Sequence, residues 1–557
     1  MDQKAKNRYK WTALSNTTLG IFMAALDGSI VIISLPAIFR GINLDPLLPG
    51  NISFLLWTLL GYLVCISVLV VSLGRLGDIF GRVKMYNLGF LIFTLASIAL
   101  SLTPGQGESA ALYLILMRIF QGVGGALLMA NSTAILVDAF PTEQRGLALG
   151  INTIAGLAGQ FIGLILGGIL ADWNWRLIFW INVPIGIFGT AWAYLKLHEV
   201  NEKRNIKIDW WGNVTFALGL ILILVGITYG IQPYGNHLMG WTSPKVLSEI
   251  IGGILLLVLF AFIEKKIKAP MLNLELFKIK AFAAGNIANL LSSIGRGGLQ
   301  FMLIIWLQGI WLPLHNYSFE STPLWAGIYM LPLTLGFLLV GPLSGYLSDK
   351  YGARYFATGG MIIGAISFAL LMTLPANFVY LNFALLLLLN GIGVGLFSSP
   401  NTTGTMNSVP ASDRGQASGM RATTMNVGQV LSIGIFFSLM IAGLASSLPK
   451  SMSEALIKEG VSQTVAIQIA SAPPVSSLFA AFLGYNPMSK LIPTDTLAAL
   501  PEENRNEIIG SSFFPDLISE PFMHGLKIVF TFSLILFLVG AVASWMRGDK
   551  YVHGETK

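Results

Sequence analysis

Charged residues are scarce in this sequence, and their scarcity excludes an ordinary soluble protein. Only 11% of the 557 residues are Asp, Glu, Lys or Arg, whereas roughly 25% is usual in soluble domains. Hydrophobic residues make up 54% of the chain. A chain with so little charge and so much apolar surface is expected to lie in a lipid bilayer, where that surface meets hydrocarbon instead of water.

Cysteine and histidine are also rare, and this weighs against an enzyme. The single cysteine, Cys65, lies inside an apolar run, which excludes an intramolecular disulfide and a cysteine metal site. None of the five histidines stands with Asp or Glu at catalytic spacing, as a lipid-modifying membrane enzyme would need. The chain also lacks the Gly-x-x-x-x-Gly-Lys-Ser/Thr loop of an ATP-driven pump. We therefore expect no metal site, no bound cofactor and no enzymatic activity.

About fourteen apolar runs are long enough to cross a membrane as helices, which takes about 20 residues each. The first run is too long for a cleavable signal peptide and contains Asp27. We therefore predict an all-α polytopic membrane protein with fourteen transmembrane helices. The predicted spans are residues 13–39, 53–73, 85–103, 111–132, 146–170, 176–195, 210–230, 247–264, 282–311, 323–346, 355–374, 378–400, 415–445 and 522–545.

Basic residues concentrate in alternate loops, and this pattern predicts the orientation of the chain. The short loops between them carry few, with Arg40, Arg176 and Lys245 as the exceptions. By the positive-inside rule, the basic loops and both termini lie in the cytoplasm and the chain spans the plasma membrane. The net charge of +7 therefore reports topology, and we expect no nucleic-acid partner. The basic loops are residues 4–10, 75–84, 196–207, 265–280, 350–354 and 547–557.

Short sequences recur in the two halves of the chain at a nearly constant offset, which indicates an internal duplication. Residues 145–150 recur as residues 414–419, 269 positions later. The loop 74–84, rich in glycine and charge, has a weaker copy at 345–354. Internal repeats of hydrophobic segments are typical of secondary transporters. We predict two six-helix halves related by a pseudo-two-fold axis.

An insertion separates the two predicted halves. Residues 201–280 have no counterpart in either repeat and supply spans 7 and 8 as an inserted pair. The predicted domains are therefore an N-terminal six-helix bundle at 1–200, the insert with its linkers, and a C-terminal six-helix bundle at 281–557. The long loop 446–520 is expected outside the cell. We expect an ordinary connector there, with a folded cap over the outer mouth as the alternative.

Few charged residues fall inside the predicted spans, and each is a candidate functional residue because charge in hydrocarbon is costly. Asp27 lies near mid-membrane, and Arg118 in span 4 comes to a similar depth at a rise of about 1.5 Å per residue. We expect the two to pair and Asp27 to titrate. The alternatives are a structural hydrogen bond of Asp27 and an Arg118 that points outward. Arg296 and Arg421 are the other buried cations. Further polar candidates for the cavity are Gln121, Gln160, Gln300 and Gln429.

Glycines at four-residue spacing line one side of span 5. Such a strip lets another helix approach closely, because no side chains intervene. We expect another helix to pack or slide there. The glycines are Gly159, Gly163, Gly167 and Gly168.

These motifs resemble, in order and spacing, those of the major facilitator superfamily, and within it the fourteen-span drug:proton antiporter-2 family of the EmrB/QacA type. The resemblance covers nearly the whole chain. It rests on the motifs at residues 26–36, 74–84, 118–125 and 175–186. The first-span motif, the insert and the long loop indicate the fourteen-span family. One position departs from the family pattern, since Leu164 stands where its fifth-span motif has proline.

The resemblance implies roles for the loop signature and for the buried charges. Asp78 and Arg82 are expected to latch the state that is closed to the cytoplasm, with Asp138 as the partner of Arg82. In that latch, Asp78 would accept free N–H groups at the start of span 13. Asp27 and Arg118 are expected to couple transport to the proton. The latch and its repeat also include Gly74, Gly81 and Asp349.

We therefore expect a proton-coupled secondary transporter that exports amphipathic small molecules, as in multidrug efflux, by alternating access around the interface of the halves. It is expected to act as a monomer in the lipid bilayer, with the proton gradient in place of a cofactor. Because membrane carboxylates are few, a multiply cationic substrate is the less expected cargo. The alternative within this fold is export of an endogenous metabolite, peptide, siderophore or lipid. A lipid-modifying enzyme is the alternative from another class.

Overall fold

A computed structural model describes residues 3–44, 51–141, 144–200, 209–267, 270, 272–410 and 413–548, without the side chains of 3–6, 145–147, 349 and 415. Within these ranges fourteen helices are long and apolar enough to cross a membrane, which confirms the predicted fold class. We number them span 1 to span 14. In order they are Asn7–Gly41, Asn51–Phe80, Arg82–Ser101, Gly107–Ala139, Ala148–Trp173, Leu177–Lys196, Trp210–Gly230, Pro244–Lys266, Lys280–Leu314, Thr322–Ser348, Ala353–Leu371, Tyr380–Asn407, Gln416–Lys458 and Phe513–Trp545.

The two halves repeat the same helix arrangement. Span 1 packs along span 5, and spans 2 and 3 both pack along span 4. In the second half, span 9 packs along span 13, and spans 10 and 11 both pack along span 12. Spans 7 and 8 pack against each other, and span 7 also contacts spans 2 and 13. The inserted pair therefore lies beside both six-helix bundles.

The two halves touch near one face of the bundle and separate toward the other. We call the face at Asn7 and Trp545, where span 1 begins and span 14 ends, the terminal face, and the opposite one the far face. Near the far face, a Cβ atom on Gly168 would come within 2.4 Å of the Leu324 Cα atom in span 10. Near the terminal face, a Cβ atom on Gly150 of span 5 or on its repeat equivalent in span 13 would meet nothing within 4 Å. At these positions the halves are in contact near the far face and apart near the terminal face, and we call the space between them the central cavity.

The glycine strip of span 5 forms the seam with span 1. A Cβ atom on Gly159 would lie 2.4 Å from the Phe22 carbonyl oxygen, and one on Gly163 would lie 2.5 Å from the Leu26 carbonyl oxygen. Gly167 extends the same seam by one turn. Because these positions lack side chains, the two helix backbones can touch.

The expectation of an ordinary connector at residues 446–520 is wrong. Span 13 continues as one helix to Lys458, and the last helix already begins at Phe513. Hydropathy locates only the apolar part of a helix. It therefore does not predict the polar extension of span 13, where Lys450 and Glu454 form an ion pair with their closest atoms 3.9 Å apart. Short helices fill the rest of the region: Gln463–Ala470, Pro474–Leu483, Met488–Leu491, Thr494–Ala499 and Glu502–Ile509.

One of these helices, Pro474–Leu483, is buried against the spans, and we call it the plug helix. Its apolar side chains are almost all inaccessible to solvent, and a bend of 79° separates it from the preceding helix. A Cβ atom on Gly309 of span 9 would come within 2.5 Å of the Ala481 carbonyl oxygen in the plug helix. At that contact span 9 widens into a π-helix, Leu307–Trp311, a form that occurs mostly as single turns. The plug helix thus fills space at the far end of the second half.

Candidate functional site

An ion pair between Asp27 of span 1 and Arg118 of span 4 lies inside the first half. The Arg118 guanidinium donates to Asp27 Oδ2, and the two side chains are 1% and 0% exposed. The guanidinium also lies over the ring of Tyr62, with its central carbon 4.3 Å from the ring centroid. The structure therefore contains the pair that the depths of the two residues predict.

Three neutral side chains complete a hydrogen-bonded network around this ion pair. Gln121 Nε2 donates to Asp27 Oδ1 at 2.9 Å, and Asn182 Nδ2 of span 6 donates to the same oxygen at 2.7 Å. Gln121 also accepts a hydrogen bond from Arg118 at 2.6 Å and donates to Ser97 Oγ of span 3 at 2.9 Å. Both carboxylate oxygens thus have donors, which offsets part of the cost of desolvating the charge.

This network is enclosed in the first bundle and does not face the central cavity. Its members come from spans 1, 3, 4 and 6. Gln121, expected to line the cavity, is 0% exposed, so that expectation is wrong. The reason is helical geometry: Gln121 lies one turn after Arg118 and shares the helix face that points toward Asp27. A substrate in the cavity therefore does not touch Asp27 in this conformation.

The other polar residues predicted to line the cavity lie on spans 5, 9 and 13. Gln160 Nε2 of span 5 donates to Gln300 Oε1 of span 9 at 3.2 Å, a contact between the halves. Arg296 lies one turn before Gln300 on span 9, and Arg421 lies near the start of span 13. Both arginines are half-buried, as is Gln429 on span 13. Four of these five residues, counting Gln300, belong to the second half, and their place in the cavity lining stays a prediction.

The loop signature after span 2 holds a second cluster of charges, at the terminal face. Arg82 donates to Asp78 Oδ1 at 2.7 and 2.9 Å and to Asp138 Oδ2 of span 4 at 2.6 Å. Gly81, just before span 3, has a φ of 112°, which favours glycine. Gly74 lies against span 4. The cluster therefore ties the loop to span 4 within the first half.

The described hydrogen bonds of Asp78 do not reach the start of span 13. They go to Arg82, and Gly419 at that end of span 13 faces open space. Because the cavity is open at this face, the contact with span 13 stays a prediction for the conformation in which the halves close here. The side chain of Asp349, the repeat equivalent in the second half, lies outside the described residues.

Sequence reasoning missed three polar residues that hold these clusters. Asn182 and Ser97 complete the network of the buried acid, and Glu199 caps the start of span 3. Glu199 Oε1 accepts the N–H groups of Val83 at 3.0 Å and Lys84 at 3.2 Å. An amide in an apolar run, such as Asn182, signals a hydrogen-bonded role because a buried polar group needs a partner. Nothing in the sequence marks Glu199, which lies 116 residues from Val83.

Comparison with protein families gives a match over most of the chain. The family model of the Major Facilitator Superfamily matches residues 17–433. The chain belongs to the major facilitator superfamily. Its fourteen spans fit the fourteen-span drug:proton antiporter-2 branch that the sequence motifs resemble.

Several characterised transporters are similar over most of their length. The chain is 30% identical over 442 residues to the riboflavin transporter RibZ of Clostridioides difficile (strain 630), covering 78% of this chain and 90% of RibZ. It is 29% identical over 455 residues to the multidrug resistance protein Stp of Mycobacterium tuberculosis, covering 81% and 79%. It is 26% identical over 551 residues to the multidrug transporter protein MdtP of Bacillus subtilis, covering 97% and 94%. The chain is therefore a multi-pass membrane transporter and not an enzyme.

Solved structures of the same superfamily share the fold. A bacterial homologue of the human lysosomal transporter Spinster, in an inward-facing and unoccupied conformation, has a TM-score of 0.57 at 15% identity over 97% of both chains. A POT family transporter in complex with 5-aminolevulinic acid has a TM-score of 0.55 at 16% identity, over 87% of this chain and 97% of that one. At such identity these likenesses show the fold alone.

Proposed function

We propose that this protein is a proton-coupled exporter of amphipathic small molecules, acting as a monomer in the cell membrane. The observation that supports this most is the enclosed Asp27–Arg118 pair beside a cavity that opens at one face. A buried carboxylate that binds and releases a proton once per cycle links the gradient to the rocking of the two halves. The gradient supplies the free energy, so no cofactor is required.

The enclosed position of Asp27 favours indirect coupling over direct competition between proton and substrate. Span 1 carries Asp27 and also forms the seam with span 5, where Leu26 meets Gly163. Span 5 in turn contacts the second half at Leu324. Protonation neutralises Asp27 and weakens its hold on Arg118, which frees span 1 to shift against span 4. The glycine seam carries that shift to span 5 and so to the second half.

We assign the terminal face to the cytoplasm, so the cavity of this conformation is open inward. The alternation of basic loops supports the assignment. In a Cys65→Ser background, an impermeant maleimide should label Ser451→Cys in intact cells and Lys203→Cys only after permeabilisation. Labelling of both positions from the same side of intact cells contradicts this topology.

The known relatives support small organic molecules as the cargo. Their names include multidrug resistance proteins and a riboflavin transporter. Export of a single endogenous compound is the second candidate, and the similarity to the riboflavin transporter favours it. Accumulation of several unrelated compounds by the purified protein supports multidrug export, whereas accumulation of one compound alone supports the second candidate.

Reconstitution in liposomes with an imposed pH gradient tests the function. The native protein should accumulate amphipathic dyes, antibiotics or metabolites, riboflavin included, in a gradient-dependent manner. Asp27→Asn should reduce gradient-driven transport to background while exchange without a gradient persists. Asp172→Asn, which changes an exposed acid at the far end of span 5, is the matched control and should transport normally. Native rates against a gradient in the Asp27→Asn protein would refute the proton site.

The latch role of Asp78 is tested separately. Asp78→Asn removes the charge that holds Arg82 and that would meet span 13 when the terminal face closes. We expect impaired transport, with the variant still present in the membrane. The terminal face should be open for a larger share of the time and therefore more accessible to labelling. Unchanged transport together with unchanged accessibility contradicts the latch.

A further inference from the structure

We propose that the central cavity binds the anionic group of its amphipathic substrate, such as a carboxylate, phenolate or sulfonate, with Arg296 as the main contact. This inference rests on the proposed transport function and narrows its substrate class. It follows from where Arg296 points, from what surrounds it and from a second cation on the same wall.

The contacts of its neighbours aim Arg296 into the cavity. On one side of span 9, Gly295 packs against Phe537 of span 14, and on another side Gly297 packs against span 13. Gln300 lies one turn beyond Arg296 on the same helix face and reaches Gln160 of the first half. Arg296 therefore shares the face of span 9 that looks across the cavity.

Arg296 has no counter-ion in the described part of the chain. No hydrogen bond or ion pair of its side chain is described there, and its Nε atom is buried without a partner. Spans 5, 9 and 13 carry only two acids, Asp172 and Glu454, both near the far ends of their helices. Asp27 is enclosed in the first bundle by its own partners. A lone cation at membrane depth is costly and marks a substrate or ion path.

Arg421 extends this positive wall toward the opening. It lies near the terminal-face end of span 13 and is half-buried, and its side chain likewise has no described hydrogen bond or ion pair in the ranges that the structure covers. Span 13 packs along span 9, where Asn289 donates to the Arg421 carbonyl oxygen at 3.2 Å. An anion entering from the terminal face therefore meets Arg421 first and Arg296 deeper in the cavity.

The chemistry of these groups selects an anion that also carries an apolar body. A guanidinium donates paired hydrogen bonds to a planar oxyanion, and the Gln160–Gln300 pair offers neutral donors and acceptors beside it. A membrane potential that is negative inside also drives an exported anion outward.

Equilibrium binding to the purified protein tests this without any gradient. The probes are fluorescein, an anionic xanthene dye, and rhodamine 123, a cationic dye with the same ring system, measured by fluorescence anisotropy in detergent. We expect the Kd of fluorescein to be lower than that of rhodamine 123 by a factor of about 10 or more. This is the ratio that one charge-assisted hydrogen bond gives. Arg296→Gln should remove most of this preference, and Arg296→Lys should keep part of it. Lys280→Gln, which removes an exposed cation from the start of the same span, should change nothing.

Equal binding of the two dyes, absent fluorescein binding, or an Arg296→Gln protein that weakens both dyes equally overturns the anion site. Phosphatidylglycerol is then added to the micelles as a competitor. If it displaces fluorescein, the ligand is a lipid headgroup and the small-molecule assignment fails. Monodisperse elution of each variant confirms that it is folded. The proposed transport function fails by a different result, namely no gradient-driven accumulation of any compound in liposomes.

Discussion

The first half pairs its membrane charges, Asp27 and Arg118, inside the bundle, whereas the side chains of Arg296 and Arg421 in the second half have no described charged partner. Counting by the repeat offset of 269 would pair Asp27 with Arg296, but the seam contacts in the two halves shift this register by one residue. Asp27 then corresponds to Gly295, and Arg296 corresponds to Gly28. The contacts that fix this register are Phe22 with Gly159 and Leu26 with Gly163 in the first half, and Leu290 with Gly428 and Ile294 with Ser432 in the second.

The two halves can also be compared at the residues that surround Asp27 in the first half. The Gln121–Ser97 hydrogen bond has a counterpart in Asn390, which donates to Ser367 at 2.6 Å. The place of Arg118 is taken by Leu387, which is fully buried. The second half thus shares the neutral hydrogen bond of the first half but has no counterpart of its ion pair. In the proposed function the first half holds the proton and the second half holds the cargo, a division that the following variants test.

The largest effect is expected when span 4 is made to resemble span 12. Arg118→Leu leaves the Asp27 carboxylate buried without its cation and should lower the free energy of unfolding by about 3–5 kcal/mol. The double variant Asp27→Asn/Arg118→Leu should recover most of this loss, because no charge remains buried. Denaturant titration in detergent measures both.

Lys278→Leu is the control for that pair of variants. It breaks an exposed pair with Glu275, whose closest atoms are 2.6 Å apart, and should cost less than about 1 kcal/mol. A single Arg118→Leu variant as stable as the native protein would contradict an energetically coupled pair. So would a double variant that is no more stable than the single one.

Exchanging the equivalent seam residues Gly163 and Ser432 between the two halves should lower the stability of the protein by unequal amounts. Gly163→Ser places a Cβ atom 2.1 Å from Ser29 Oγ, and we expect a cost at the upper end of the roughly 1–3 kcal/mol of overpacking. Ser432→Gly removes hydrogen bonds to the Ile294 carbonyl and the Gly298 N–H, for about 1 kcal/mol. Thermal unfolding of both variants ranks them, and equal losses or the reverse order would show that the two seams are equivalent.

The plug helix has no counterpart in the first half and gives a third contrast. Gly309→Val should displace it, because a Cβ atom there would meet the Ala481 carbonyl oxygen. Labelling of Ala480→Cys, in a Cys65→Ser background, should then become about 10-fold faster, equivalent to about 1.4 kcal/mol. Gly359→Val, where a Cβ atom meets nothing within 4 Å, is the control. Equal labelling rates would mean that the plug helix does not depend on this contact.

The smallest effect is expected at the polar contact between the halves. Gln160→Leu removes its single hydrogen bond to Gln300 and should shift the conformational equilibrium by at most about 5-fold, the equivalent of about 1 kcal/mol. Distances between spin labels at Gly150 and Gly419 report the opening at the terminal face. Gln429 is the repeat equivalent of Gln160, and the control variant Gln429→Leu should leave these distances unchanged. A larger shift for Gln429→Leu would reverse the assignment of this contact.

Much of the fold was predictable because the bilayer imposes a simple rule on the sequence. Backbone groups in hydrocarbon must be paired within the segment, so apolar runs of sufficient length become helices. The pairing of Asp27 with Arg118 was also predictable, because the depth of a residue in the membrane follows from its position along the helix. The bilayer rule gave no guide to residues 446–520, where helices continue beyond the apolar stretch or fold back against it.

The sequence by itself determined the fourteen spans, the duplication and the identity of the few charges placed in the membrane. Only the tertiary structure decided which way each charge points. The Asp27 carboxylate turned into the first bundle, whereas the Arg296 side chain has no described partner, and a one-residue shift in register separates these two positions of spans 1 and 9. The physical reason is that hydropathy and spacing fix a residue's depth, whereas its direction depends on how neighbouring helices pack. That packing is set by glycine seams and long-range hydrogen bonds such as the one from Asn182 to Asp27.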